Sequence, residues 1–201
     1  SGRVELSKTM NRSGSHVTEN FKLQPITKDG KLSKYKVGNC VLNGLIGYMD
    51  RTVMMPYCRK TAFTKNEFEK FEKAVPFIQE VSEKFKELIP EKWKIQNEYA
   101  KATDKNYIIK GTCFTTVTIN KDFQTAVHKD AGDLKKGFGN LTSYKTEGLK
   151  GGYFVLPEWR IAFDLHSTDL LLVDVHQWHG NTPIEKETEQ DERISFVMYY
   201  R

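Results

Sequence analysis

Apolar residues change their spacing part-way along this chain, and the change divides it into a helical part and a strand-rich part. From Thr64 onward, Phe68, Phe71, Ile78, Val81, Phe85 and Leu88 recur at steps of three, four and seven, with charged residues filling the positions between. That spacing predicts an amphipathic helix with one buried stripe. Thr64 followed by Glu67 predicts a capping box at its start. Pro76 predicts a kink or a division, and Pro90 an end. A second, shorter helix is expected over Glu91–Ala102, before Asp104-Lys105-Asn106 turns the chain.

Past Lys110 the pattern becomes that of strands. Cys113–Ile119, Tyr153–Leu156, Trp159–Leu165, Asp169–Val175 and Arg193–Tyr200 are short runs rich in β-branched and aromatic residues, punctuated by Gly and Pro. Ala131–Lys150, with Gly132, Gly137, Gly139 and Gly148, reads as one long polar loop of the functional or mobile kind. Val37–Met55, with Gly44 and Gly47, carries no decisive period. Helices followed by many short strands predict an α+β fold. Its core would be an antiparallel double-stranded β-helix, or jelly roll, over about 111–201, packed on helical support over about 64–102. Residues 1–20 are expected to form a flexible arm, and 21–201 a single domain.

Composition narrows the function classes. With 38% hydrophobic and 12% aromatic residues over 201 positions, the chain can bury a core and is not a disordered tail. No apolar run approaches the roughly 18 residues of a membrane span, so no membrane partner and no secretory leader are expected. The opening Ser1-Gly2 reads as the remnant of a cleaved tag. Cys40, Cys58 and Cys113 are odd in number and form no C-x-x-C, the pattern of reduced thiols in an intracellular protein rather than of a disulfide framework or structural zinc. The net charge of +5 permits an anionic partner without requiring one. Lys28, Lys31, Lys34 and Lys36, around the Asp29-Gly30 turn, suit either a solvated hairpin edge or a phosphate-contacting patch.

Candidate chemistry lies in two stretches. Thr125–Asp130 (T-A-V-H-K-D) places His128 and Asp130 two residues apart, so in an extended chain both leave the same face while Lys129 points away. Leu170–Pro183 (L-L-L-V-D-V-H-Q-W-H-G-N-T-P) is an apolar strand running into His176 and His179. Two histidines and a carboxylate on one face of a metal form the donor set of a non-haem Fe(II) oxygenase. Further on, Arg193 and Ser195 share a strand face, and a guanidinium with a neighbouring hydroxyl suits a carboxylate. On these residues alone, His176 and His179 compete for the third ligand position.

The order H-K-D, G-G-Y-F-V-L-P, D-V-H-Q-W-H-G-N-T-P and R-I-S-F-V-M-Y-Y resembles the TET/J-binding-protein family of Fe(II)- and 2-oxoglutarate-dependent dioxygenases. The resemblance covers roughly Thr112 to Arg201, and C-R-K-T-A-F-T at 58–64 looks like the J-binding-protein side. It implies an enzyme, a hydroxylase, with Fe(II), 2-oxoglutarate and O2 as cofactors. It implies His128, Asp130 and His179 as metal ligands and catalytic centre, which leaves His176 a packing role. Arg193 would pair with the distal carboxylate of 2-oxoglutarate, assisted by Ser195. The implied substrate is the 5-methyl group of a pyrimidine in DNA, with the base flipped out of the duplex. The cysteine-rich region of the animal enzymes acting on 5-methylcytosine has no counterpart here, which favours thymine and leaves 5-methylcytosine open. Arg59, Asp133 and Trp178 are candidate substrate contacts, and Trp159 and Tyr153 suit either base stacking or packing. A monomer is expected, in the nucleus or in the cytoplasm of a microbial or virus-infected cell. Two other readings keep some of these features. One is an Fe(II)/2-oxoglutarate hydroxylase of a protein side chain or small metabolite. The other is a non-catalytic nucleic-acid-binding module, against which the intact triad and R-x-S argue.

Overall fold

The computed structural model describes residues 29–31, 42–125 and 127–201. The expected arm, Lys28, Lys34, Lys36 and Cys40 lie outside the described residues. The elements are β1 (Leu42–Met49), β2 (Arg59–Lys60), α1 (Ala62–Asn66), α2 (Phe68–Leu88), α3 (Pro90–Ala102), β3 (Thr116–Lys121), β4 (Gly139–Lys145), β5 (Leu149–Gly151), β6 (Phe154–Leu156), β7 (Ile161–Phe163), β8 (Leu170–Val173), β9 (Gly180–Asn181), β10 (Ile184–Lys186) and β11 (Arg193–Tyr199). A six-stranded antiparallel sheet in the order β2-β1-β3-β11-β4-β8 is accompanied by a three-stranded sheet, β7-β6-β9, and a two-stranded one, β10-β5. This is the jelly-roll arrangement, with the helices preceding all but two strands.

The period-2 alternation of the large sheet sorts its residues onto two faces. Val117 and Met198, directly opposite each other in the β3–β11 pairing, join Ile46, Phe71, Ile78 and Phe85 in one buried cluster beneath the helices. Phe85 of α2 stacks on Phe114, with ring centroids 6.5 Å apart. Cys113 lies in the same layer, and burial pushes its thiol up to about 12, which makes it a packing group rather than a nucleophile. On the other face Leu141 and Val173 meet Phe154 of the small sheet, so a second cluster sits between the sheets.

Three details differ from expectation. Helix α1 starts at Ala62 and is capped by Thr61, whose hydroxyl accepts from the Thr64 amide (3.3 Å). Thr64 is instead fully buried and accepts from the Gly47 amide at 2.8 Å, so its hydroxyl fastens α1 to β1 rather than starting a capping box. Helix α2 runs through Pro76 undivided, because the stripe Phe71–Ile78–Val81–Phe85 is anchored on both sides of it. Finally, residues 139–145 of the expected long loop form β4, a central strand paired with both β11 and β8. Its buried positions include Asn140 and Ser143, whose side chains donate to the carbonyls of Phe138 (3.1 Å) and Leu165 (3.2 Å). The Asn140 amide and the Ser143 hydroxyl thus find acceptors, while Asn140 Oδ1 has no partner among the described residues, and these buried polar side chains hide the strand from a hydrophobicity pattern.

Candidate metal centre and active-site cavity

The inner face of β11 forms the floor of a cavity of about 350 Å³ between the sheets. Arg193, Ser195, Val197 and Tyr199 line it in alternation, and Arg201 continues the series beyond the strand. Opposite this floor stand His128, Asp130 and His179.

The chain around His128 is not a strand but a single antiparallel bridge to His179. Each histidine donates its amide to the other's carbonyl, at 2.8 and 2.9 Å, so the backbone sets the two rings side by side with centroids 4.2 Å apart. Gly180 permits this approach, since a Cβ there would stand 3.0 Å from both the Thr125 carbonyl oxygen and the Val127 amide nitrogen. Asp130 completes the group. One of its oxygens lies 3.4 Å from His128 Nε2 and the other 3.9 Å from His179 Nε2. The three ligand atoms fall within 4.8 Å of one another.

The donor chemistry suits a divalent metal. His179 Nδ1 lies 2.9 Å from the Gln177 carbonyl oxygen, which can only accept, so Nδ1 carries the proton and Nε2 turns its lone pair to the site. Phe154 stacks on the same ring at 5.4 Å and holds its plane. Two imidazoles and one carboxylate on a single side leave the cavity side open, as a non-haem Fe(II) centre requires.

Arg193 is 3% exposed, and its guanidinium makes no hydrogen bond or ion pair with the described residues. Burial lowers its pKa, and the nearby Asp122 charge acts in the opposite sense. Asp122 does not pair with the guanidinium because both of its oxygens are engaged. One accepts the Arg193 amide at 2.7 Å and the other meets Lys186 Nζ at 2.9 Å. A cation so placed, with Ser195 Oγ two residues along the same face, is a receptor for a carboxylate at the end of the cavity. Gly152, at φ +67°, packs under it, and a Cβ there would lie 3.1 Å from Arg193 Cδ. Replacing Gly152 with Ala is expected to weaken 2-oxoglutarate binding about tenfold through displacement of the guanidinium, and to lower stability by on the order of 1 kcal/mol through left-handed strain. Calorimetric titration with 2-oxoglutarate against a non-oxidised metal such as Mn(II) checks this.

The other sequence candidates are placed as follows. Asp133 lines the cavity near the metal group, whereas Arg59 and Trp178 do not line it. Arg59 lies in β2 and donates to the Asp50 carbonyl at 2.8 Å. Trp178 carries Lys129 Nζ over its ring at 5.0 Å. His176 is outside the metal group, with Nδ1 2.9 Å from Asp174 Oδ1. Trp159 and Tyr153 are exposed and stand outside the lining. Two residues of the site went unnoticed in the sequence, Asp122 and Arg201. Extending the Arg193–Ser195 alternation to the end of the chain would have found Arg201. It lines the cavity, reaches Asp50 Oδ1 from Nε at 3.3 Å, and lies against Gly132.

Comparison with known proteins shows the family. The Tet_JBP family model, described as the oxygenase domain of the 2OGFeDO superfamily, matches residues 44–201. The chain belongs to the Tet_JBP family. Membership implies Fe(II), 2-oxoglutarate and O2 as the cofactors of the superfamily. Curated Tet_JBP relatives include thymine dioxygenase JBP1 of Trypanosoma brucei brucei, 36% identical over 163 residues, covering 79% of this chain and 19% of the relative. Thymine dioxygenase JBP1-B of Trypanosoma cruzi (strain CL Brener) is 34% identical over 170 residues, covering 82% and 20%. Bifunctional helicase and thymine dioxygenase JBP2 of Leishmania braziliensis is 31% identical over 160 residues, covering 79% and 14%. The chain thus spans about a fifth or less of the length of these relatives. Among solved structures, NgTET1 in complex with 5mC DNA shares the fold, with a TM-score of 0.63 at 15% identity over 79% of this chain and 60% of that one. None of the described helices is long and apolar enough to cross a membrane.

Proposed function

We propose that this Tet_JBP domain hydroxylates the 5-methyl group of thymine in DNA. The observation that carries the reading is one cavity holding the His128–Asp130–His179 group on its wall and the buried Arg193, unpaired among the described residues, at one end. Bound there, Fe(II) with 2-oxoglutarate and O2 would supply an oxidant able to hydroxylate a methyl C–H, with succinate and CO2 as co-products. The three ligand side chains hold the metal. Arg193 and Ser195 take the distal carboxylate and so orient the cosubstrate towards it. Phe123, Leu141 and Phe154 supply apolar lining beside the metal group and limit water there.

The substrate end is the other end of the β11 floor, past Tyr199. Burial pushes the Tyr199 hydroxyl up to about 12, so it stays neutral beside Asp130 and Asp133 and hydrogen-bonds with Thr118 Oγ1 at 3.1 Å. Arg201 is a donor only and Asp133 an acceptor only. Thymine offers a carbonyl O4 and an N3–H, which complement that pair. 5-Methylcytosine offers an amine where O4 would be. The JBP relatives are named for thymine, in line with this polarity. A base in a duplex reaches the cavity only when flipped out, at a cost of a few kcal/mol. The exposed Lys135 and Lys136, on the loop after Asp133, are placed for phosphate contacts, whose contribution falls with salt.

The test is anaerobic loading with Fe(II) and 2-oxoglutarate, then air, with thymine or 5-methylcytosine duplexes. Digested nucleosides are read by mass spectrometry beside succinate. A gain of one oxygen on thymidine is expected, absent in His128→Ala and reduced about tenfold or more in Arg201→Ala. Succinate with every nucleoside unchanged would keep the oxygenase and sink the DNA substrate.

A further inference from the structure

His176 takes no part in the metal group, yet its surroundings are built to fix its ring. Asp174 Oδ1 accepts from both the His176 amide (3.0 Å) and Nδ1 (2.9 Å), while Asp174 Oδ2 accepts from Gln177 Nε2 at 3.3 Å. Held in this way, the ring directs Nε2 at the main-chain carbonyl oxygen of Asp133, 3.4 Å away. Asp174 and the Asp133 carbonyl both only accept here, so the two ring contacts are made together when each nitrogen carries a hydrogen, that is, by the protonated ring.

This contact is one rung of a series. The segment bearing the third ligand, 175–179, is bonded to the segment bearing the other two, 128–133, at successive points. His128 and His179 exchange amides, the Asp130 amide donates to the Val175 carbonyl at 3.0 Å, and His176 takes the Asp133 carbonyl. The first two rungs are backbone only and place the metal ligands. The third is the one supplied by a side chain, and it falls on the residue after Gly132, whose φ is +104°. Leu134 is tied on the far side, its amide to the Tyr200 carbonyl at 3.0 Å. The Asp133–Leu134 peptide is therefore held at both its carbonyl and its amide, and its plane sets the direction in which the Asp133 carboxylate meets the cavity.

We infer that His176, oriented by Asp174, is a positioning residue for substrate recognition, acting through the Asp133 carbonyl on the carboxylate that reads the base. The inference rests on the substrate-facing role given to Asp133 above. The Asp174–His176 pair is partly exposed, at 39% and 26% of its side-chain surface. Filling a core is therefore not its main contribution.

Two substitutions separate the contacts. In His176→Gln the amide nitrogen reaches the place of Nε2 and can still donate to the Asp133 carbonyl. In His176→Asn it reaches only the place of Nδ1, so the Asp174 contact survives and the Asp133 contact is lost. With thymine duplex, His176→Asn is expected to raise KM for DNA about tenfold, the worth of one net hydrogen bond, with KM for 2-oxoglutarate and Mn(II) affinity within about twofold of wild type. His176→Gln should stay within about threefold on every measure. Amide hydrogen exchange over 133–137, measured without substrate, should quicken in the Asn variant and keep its wild-type rate in the Gln variant. If both variants shift together, or neither shifts, in exchange and in KM, the positioning role is overturned. If the wild-type protein leaves thymine unchanged, the substrate reading has failed. Exchange alone then decides whether His176 orders the Asp133 segment.

Discussion

Arg193→Met is expected to reduce 2-oxoglutarate affinity by about 10²–10³-fold while leaving the ligand-free protein as stable as before, or more stable. The guanidinium is 3% exposed and finds no partner among the described residues, and Asp122 is held by the Arg193 amide and by Lys186. Burial lowers the pKa of Arg193, yet an arginine stays charged at any accessible pH. Its desolvation is thus a standing cost in the ligand-free fold, with no pH window in which it is relieved. A bound carboxylate relieves it. Removing one partner of such a buried pair costs about 3–5 kcal/mol, and an apolar side chain of similar volume removes the cost instead of shifting it. Arg193→Lys should fall between, at about 10–10²-fold, because an ammonium cannot make the paired, planar contact. Ser195→Ala should cost about tenfold, as one net hydrogen bond. Calorimetry with 2-oxoglutarate, together with thermal melts of the ligand-free variants, separates the two effects. An unchanged affinity in Arg193→Met would remove the carboxylate from this end of the cavity.

Much of this site was legible because its spacing is local. His128 and Asp130 need only an extended chain to share a face, and Arg193 and Ser195 repeat that geometry on β11. The choice of His179 over His176 needed the family resemblance, and the structure gives a physical reason for it. The His128–His179 bridge can form only where Gly180 lets the chains approach, while His176 is turned the other way by Asp174. The amphipathic stripe of α2 likewise showed the buried face of the helix, whose partner is the large sheet.

What escaped was tertiary. Strand β4 buries a polar residue on each face, Asn140 on one and Ser143 on the other, so neither face reads as an apolar stripe, and four glycines in and around it resemble a loop. Strand β1 lacked a period because Gly44 and Gly47 interrupt it, yet it pairs with β3 through six residues and extends the sheet that carries the cavity. Asp122 contributes through a left-handed backbone (φ +50°) and two bonds to residues some sixty to seventy positions away, which no local pattern encodes. Trp178 had the composition of a stacking residue, but its odd position between the histidines places it outside the cavity, under Lys129.

Asp130→Asn tests the centre itself, and its largest effect should appear only when metal is present. In the metal-free protein, Asp130 is a partly exposed carboxylate 3.4 Å from one imidazole and 3.9 Å from the other, so exchanging it for an amide of the same shape should move Tm by no more than a few degrees. Binding a divalent ion to the folded state alone adds about 2.7 kcal/mol at a hundred times Kd. For a domain of this size that is a rise of roughly 5–10 °C. The amide lacks the charge that the ion requires, so the variant should lose most of that rise. It should also lose succinate formation by at least about a thousandfold, since each 1.36 kcal/mol of lost stabilisation is a factor of ten. His179→Ala should behave alike, because the Gln177 carbonyl that fixes its tautomer then has no ring to orient. By contrast His176→Asn should keep the full metal-dependent rise, since its ring lies outside the ligand group. Melts with and without Mn(II), run beside succinate assays with Fe(II), give both quantities. A metal-dependent rise that survives in Asp130→Asn and in His179→Ala, yet vanishes in His176→Asn, would transfer the third ligand to His176 and dismantle the cavity as described.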